Sequence, residues 1–275
     1  MSRRPAIALS DRLEDVRTLS PLPLPGPLRR LAAGAWHVPA GFTFLFRNPR
    51  LLPLAILPVV LVMVFVVGGL VVGALVGASV EPRLAPGPGE AAPWVAFMAS
   101  LLLWTAALGA GMVLGVGLAL VLAAPVLDLL SRRVEALVRG ATFEHARGLR
   151  FEVLESLRGS FYFLAAAPGV LLLGLIPVVG PALAAVWGAW ALAFQLTDPP
   201  LSRRGLSFRE KRAWHWRWGA ESEGFGLAGM LTLLIPLANL LLAPALAVGG
   251  TLLVLSLEEV GAAASARPSA PAEKA

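Results

Sequence analysis

FGLAGMLTLLIPLANLLLAPALAVGGTLLVLSL, residues Phe225–Leu257, is the stretch on which the fold of this chain turns. No charged residue falls between Glu223 and Glu258, so the run belongs in hydrocarbon. Pro236, Asn239 and Pro244 interrupt it. A proline removes a backbone donor, and an amide in hydrocarbon needs a partner, so one uninterrupted spanning helix is not expected. Arg209, Lys211, Arg212 and Arg217 crowd the side before it. The run either crosses the membrane or turns back to the face it came from.

Hydrophobic residues make up 57% of the 275 residues and charged residues 15%. With four long apolar runs, the expected class is an all-α integral membrane protein. Leu, Ile, Phe and Val each favour insertion by roughly 0.3–0.6 kcal/mol at a helix centre, which outweighs an occasional Pro or Gly. There is no cysteine, which excludes disulfides, iron–sulfur clusters and thiolate chemistry. The net charge of +6 does not point to nucleic acid, because most basic residues flank apolar runs, where lipid phosphates attract them. Trp214, Trp216 and Trp218 read as an interfacial aromatic belt. His37, His145 and His215 stand in no metal-binding spacing, and the Gly-rich stretches lack the Lys-Ser/Thr of a phosphate loop. No cofactor, no metal and no enzymatic activity are expected.

Residues 1–27, proline-punctuated at Pro21, Pro23, Pro25 and Pro27, are expected to be a disordered cytoplasmic tail. Residues 28–257 form the membrane domain, and 258–275 a second disordered tail. Leu28–Arg50 reads as an amphipathic helix lying at the interface. The first apolar run, Leu51–Val80, is long enough to span, and Gly69, Gly73 and Gly77 recur at a spacing that lets a second helix approach. Pro93–Leu127 spans again, with Gly111 and Gly115 at the same spacing. Leu130, Val134, Leu137 and Val138 carry that helix out of the bilayer as an amphipathic rod. A separate helix around Phe151–Phe161 leads back. The third run, Ser160–Leu196, is broken at Ile176–Pro181 into halves of about 17 and 15 residues, each short of the ~30 Å hydrocarbon core. Pro236 and Pro244 leave Phe225–Ile235 and Ala245–Leu257, shorter still.

Of the 23 Lys and Arg, Arg83 alone falls in 81–92, between the first two runs. The positive-inside rule then places every other connection, and both termini, in the cytoplasm. The expected architecture is two long transmembrane helices plus two broken helical hairpins that penetrate the bilayer partly or fully; the short halves favour partial penetration, full crossing staying open for the third run more than for the fourth.

Further landmarks are Gly41-Phe42 with Pro49 and Pro58, Leu122-Ala123-Ala124-Pro125 with Asp128 and Glu135, and Ile176-Pro177 with Gly180. Others follow: Trp190, Gln195, Asp198, Pro200 and Phe208, then Gly224-Phe225-Gly226, Ile235-Pro236, Asn239, Pro244 and Gly249-Gly250-Thr251. In order and spacing they resemble the CysZ family of bacterial sulfate permeases and the related etoposide-induced protein 2.4 family, over roughly residues 35–257. The resemblance implies two spanning helices with two hairpins entering the membrane part-way. It also implies uptake of sulfate, or a similar small anion, across the cell inner membrane for sulfur assimilation. Expected partners are the lipid bilayer, the anion and further copies of the chain in a homo-oligomer. The alternative is a non-transporting membrane scaffold of the etoposide-induced type.

The resemblance also implies a sulfate site, which in the family is proposed to be a Gly-Leu-Arg stretch after the proline at the start of the first spanning helix. Here that place reads Pro49-Arg50-Leu51-Leu52, with Arg50 at the glycine position and Leu52 at the arginine position. The anion candidates are therefore Arg47, Asn48, Arg50 and Leu51, just before a helix N-terminus. Arginines in this position also anchor to lipid phosphates. Asn239 and Gln195 are pathway candidates, Asn239 alternatively satisfying backbone groups that the prolines free. Asp128 and Asp198, beside arginines, are expected in ion pairs or caps.

Overall fold

The computed structural model describes residues 26–84, 93–142, 148–235 and 238–265, and among these every regular element is a helix. They are α1 Pro27–Arg47, α2 Leu52–Leu84, α3 Pro93–Arg139, α4 Leu149–Gly174, α5 Val179–Arg203, α6 Phe208–Arg217, α7 Gly219–Leu233 and α8 Ala238–Ser265, with a 3-10 turn over Pro49–Leu51. Five stretches are long and apolar enough to cross a membrane: Pro49–Arg83, Pro93–Arg139, Leu154–Gly174, Val179–Arg203 and Leu242–Ala263. This is an all-α, multi-span membrane protein.

The chain divides into two compact units. Pro53–Leu127 forms one of them, made of α2 and the first part of α3. Its helix pair is held by glycine. A Cβ built on Gly111 would stand 2.1 Å from the Gly69 carbonyl oxygen, and one on Gly69 would stand 2.2 Å from that of Gly111. Only a residue without a side chain lets the backbones come this close, as the four-residue spacing anticipated. Val60, Met63, Val64, Val67 and Val71 on α2 are exposed, as a lipid-facing stripe requires.

The other unit holds residues 1–52 and 128–275. Its core gathers Val38, Ala193, Phe225, Leu246, Leu253 and Leu257, with Phe42, Leu196, Trp214 and Trp218 packed against them. Here the structure corrects four expectations. First, α1 is not a helix lying free on the surface: Ala33, Gly34, His37, Val38, Ala40, Gly41, Phe44 and Leu45 are buried, and α1 packs on α7 and α8. Its buried face is built largely of Ala and Gly, which signal little hydrophobicity but permit backbone contact. A Cβ on Gly34 would stand 1.9 Å from the Glu221 carbonyl oxygen, and one on Gly224 would stand 1.9 Å from that of Leu31.

Second, Pro244 does not break the last run, because α8 continues through it. Most of the 242–263 stretch is buried inside the protein rather than facing lipid; Pro236 lies outside the described residues. Third, the helix expected around Phe151 is the first part of α4, one helix of 26 residues, and α5 has 25. Both outrun the expected halves because polar ends extend the apolar segments. The break itself falls where expected, at 175–178. Fourth, the tail expected from 258 is helical through Ser265, because the Glu258 carboxylate is tied to Arg139 and Arg204. Residues 1–25 and 266–275 lie outside the described residues.

Gly111→Ile is expected to lower the melting temperature of the detergent-solubilised protein by several degrees, overpacking costing about 1–3 kcal/mol. Gly117→Ile, where an added Cβ meets nothing within 4 Å, should melt within a degree of the parent. Equal melting of both variants would rule out the glycine contact.

Candidate functional site

Asp128, Ser131, Glu135 and Arg139 recur at three- and four-residue spacing on the last turns of α3, so one face of that helix carries all four. Arg203 and Arg204 end α5, where the helix dipole favours cations. Glu258 comes from α8. These side chains close on one another. Arg203 Nη1 donates to Asp128 Oδ1 at 2.7 Å, and Nη2 to Ser131 Oγ and Glu135 Oε2, each at 2.9 Å. Its Nε adds a bond to Glu135 Oε2 at 3.2 Å. Arg204 Nη2 donates to Glu135 Oε1 and to Glu258 Oε2, each at 2.9 Å, and its Nε also bonds Glu258. Arg139 Nη1 closes the ring on Glu258 at 2.7 Å, and Ser131 Oγ meets Thr251 Oγ1 at 2.8 Å. Glu135 has no exposed surface and the Arg203 side chain only 4%. In so dry a place every charge needs an opposite one.

Asp128 thus stands in ion pairs, with Arg203 and Arg132, and Asp198 pairs with Lys211 at 2.7 Å. The sequence marked Glu135 only as a landmark of the family resemblance and gave Arg203, Arg204 and Glu258 no role. The signal was the regular spacing of polar residues along the end of α3, which needs a partner face to acquire meaning. A second buried carboxylate, Glu221, takes Arg30 of α1 through two bonds of 2.7 and 2.9 Å. Burial holds His37 down at about 4 and His215 at about 3. Both are therefore neutral imidazoles at pH 7, bonded to Ser256 and to Thr197 and Ser222 respectively.

The anion candidates sit together at the joint between α1 and α2. Arg47 ends α1, and Asn48 caps it through its backbone N–H and through Nδ2, which donates to the Phe44 carbonyl at 2.8 Å. Leu51 is 2% exposed, so it anchors the turn instead of facing a ligand. Its N–H donates to the Asn48 carbonyl at 2.8 Å, and that of Leu52 to Pro49. Pro49 and Pro53 have no N–H. Most amides of this turn are therefore spent, and what it presents outward is the guanidinium charge of the exposed Arg47 and Arg50. Gln195 lies on the exposed side of α5, and Asn239 in the first turn of α8.

A family model described as sulfate transporter CysZ/etoposide-induced protein 2.4 matches residues 38–244. The chain belongs to this family. A sulfate transporter CysZ of Pseudomonas fluorescens is 37% identical over 147 residues, 49% of this chain and 58% of the relative. One from Pseudomonas paraeruginosa is 35% identical over 144 residues, 48% and 58% of the two chains. One from Vibrio parahaemolyticus is 29% identical over 140 residues, 47% and 57%. The matched stretch thus spans little more than half the length of these relatives. Within this family member, Asp128, Glu135, Arg203 and Arg204 fall inside the range of the family model, whereas Arg30 and Glu258 fall outside it.

Glu135→Gln should leave two arginines short of an anion and cost about 3–5 kcal/mol, the usual effect of removing one partner of a buried pair. Thermal unfolding checks this. Arg132→Gln, on the half-exposed pair with Asp128, should cost below about 1 kcal/mol.

Proposed function

We propose that this family member carries sulfate, or a similar small oxyanion, across the bacterial cytoplasmic membrane. Its kinship with proteins named sulfate transporter CysZ carries that reading. In it, α2 and α3 cross the bilayer completely, while α4–α5 and α7–α8 are hairpins that enter and return, leaving the termini and the arginine-rich ends in the cytoplasm. The turn at 175–178 supports partial entry. Its residues, Leu-Ile-Pro-Val, are all apolar; Leu175 is 77% exposed and Val178 86%. A turn emerging on the far side would meet water and headgroups, which call for polar residues. A turn ending in hydrocarbon must instead satisfy its own backbone. The N–H groups of Leu175, Ile176, Val179 and Gly180 donate to Leu172, Leu173, Pro177 and Ile176 at 2.8–3.2 Å, Pro177 has none to satisfy, and Val178, at φ 67, is the turn residue whose N–H makes no such bond.

A doubly charged, strongly hydrated anion gives up water only to charge-assisted donors. Arg47 and Arg50 supply planar guanidinium forks for this at the head of the first spanning helix. Leu51 and Asn48 hold the turn that presents them, and Gln195 and Asn239 line the way onward. Further copies of the chain complete the assembly.

Reconstituted into proteoliposomes, the protein should take up radiolabelled sulfate, with Arg50→Ala slowing uptake about tenfold, the effect of one lost charged hydrogen bond. Uptake no faster than in protein-free vesicles would reject transport and leave the scaffold reading. The hairpin arrangement is checked separately, since the chain has no native cysteine. Val178→Cys should resist a membrane-impermeant maleimide applied to the periplasmic face. Labelling as fast as that of a cysteine placed in 85–92 would mean complete crossing.

A further inference from the structure

Between α4, α5 and the α6–α7 junction lies a cavity of about 380 Å³, within the size range of small-molecule sites. Two kinds of wall meet in it. Leu173, Leu183 and Val186 make an aliphatic end close to the apolar turn at 175–178. Tyr162, Trp187 and Trp190 make an aromatic end, with the two indoles 5.2 Å apart and the phenol ring 6.1 Å from Trp190. This aromatic wall already holds one cation, the Arg212 guanidinium, 5.7 Å from the centre of the Tyr162 ring.

Glu223 lines the same cavity. The fully buried carboxylates of this unit each have an arginine: Glu135 has Arg203 and Arg204, Glu155 has Arg158, and Glu221 has Arg30, whereas Glu223 is half-buried. Glu223 breaks the pattern. Its Oε2 is shut away from solvent with no hydrogen-bond partner. A lone carboxylate beside indole rings is costly, and three kinds of occupant answer it differently. A neutral apolar molecule leaves Oε2 unpaired. An anion is repelled. A cation is stabilised twice, by the carboxylate and by the ring faces.

We propose that this cavity binds an ammonium group carried on an apolar chain, with Glu223 taking the charge, Trp187 and Trp190 the carbons beside it, and Leu183 and Val186 the chain. Burial pushes the Glu223 carboxyl up to about 7 in the empty cavity, and a bound ammonium draws it back toward the ordinary carboxylate range. The same chemistry is offered by an amine-headed membrane lipid and by a free amphiphilic amine. The site is independent of the arginine turn, and it stands whether or not sulfate is carried.

The test is a tryptophan-fluorescence titration of the full chain in phosphatidylcholine nanodiscs, with dodecylamine against dodecanol and protein-free discs subtracted. Dodecylamine should bind at least tenfold more tightly. Glu223→Gln should erase that preference, Glu223→Asp should keep most of it, and Leu183→Trp, filling the aliphatic end, should weaken both ligands. Displacement of dodecylamine by phosphatidylethanolamine in the discs identifies the lipid as the natural source; its persistence identifies a free amine. Equal affinity for the amine and the alcohol overturns the proposal. So does an undiminished preference in Glu223→Gln or, should that variant not fold, an undiminished affinity for dodecylamine in Leu183→Trp.

Discussion

Glu135 sits with no exposed surface between two guanidinium groups, and the larger unit is arranged around that constraint. Removing an ion from water costs several kcal/mol even after the protein relaxes, and Coulomb attraction offsets this only when every lone pair is engaged. Here both oxygens are engaged, by arginines adjacent in sequence at the end of α5. Apolar side chains of equal volume would hold these helices together about as firmly. What the ions add is register: sliding α5 by one turn along α3 would leave Glu135 unpaired in a dry place. Ser131 and Thr251 extend the same register to α8 with an uncharged bond.

Hydrocarbon outside and protein inside make competing claims on the same apolar residues. The smaller unit answers with a glycine contact between two helices and leaves its valine and leucine side chains outward. No hydrophobic force draws such helices together in lipid, so close backbone approach supplies the contact. The larger unit does the reverse with α8, whose most apolar stretch is turned inward against α1 and α5. Outward apolar surface there is concentrated on α4 and the start of α5, around the 175–178 turn.

Opposite charges thus occupy different places in the larger unit. Cationic forks face out at the joint between α1 and α2, where the backbone amides are already used. A carboxylate without a partner faces an aromatic cavity at the α6–α7 junction. The internal arginines and glutamates between them are paired with one another, so they fix geometry.

The helical class, the apolar runs, the break at Ile176–Pro181 and the glycine spacing of α2 and α3 were all legible in the chain, because periodicity and charge act locally. So was the pairing of Asp128 with a nearby arginine. The burial of α1 was not, since a face of Ala33, Gly34, Ala40 and Gly41 has little hydrophobicity of its own and becomes a contact only when α7 and α8 lie against it. Nor was the inward orientation of α8, because an apolar residue looks the same whether it meets lipid or protein. The partners of Glu135 and the isolation of Glu223 were decided by tertiary structure alone. Whether a buried charge is neutralised depends on which residues, distant in sequence, the packing brings within 3 Å of it.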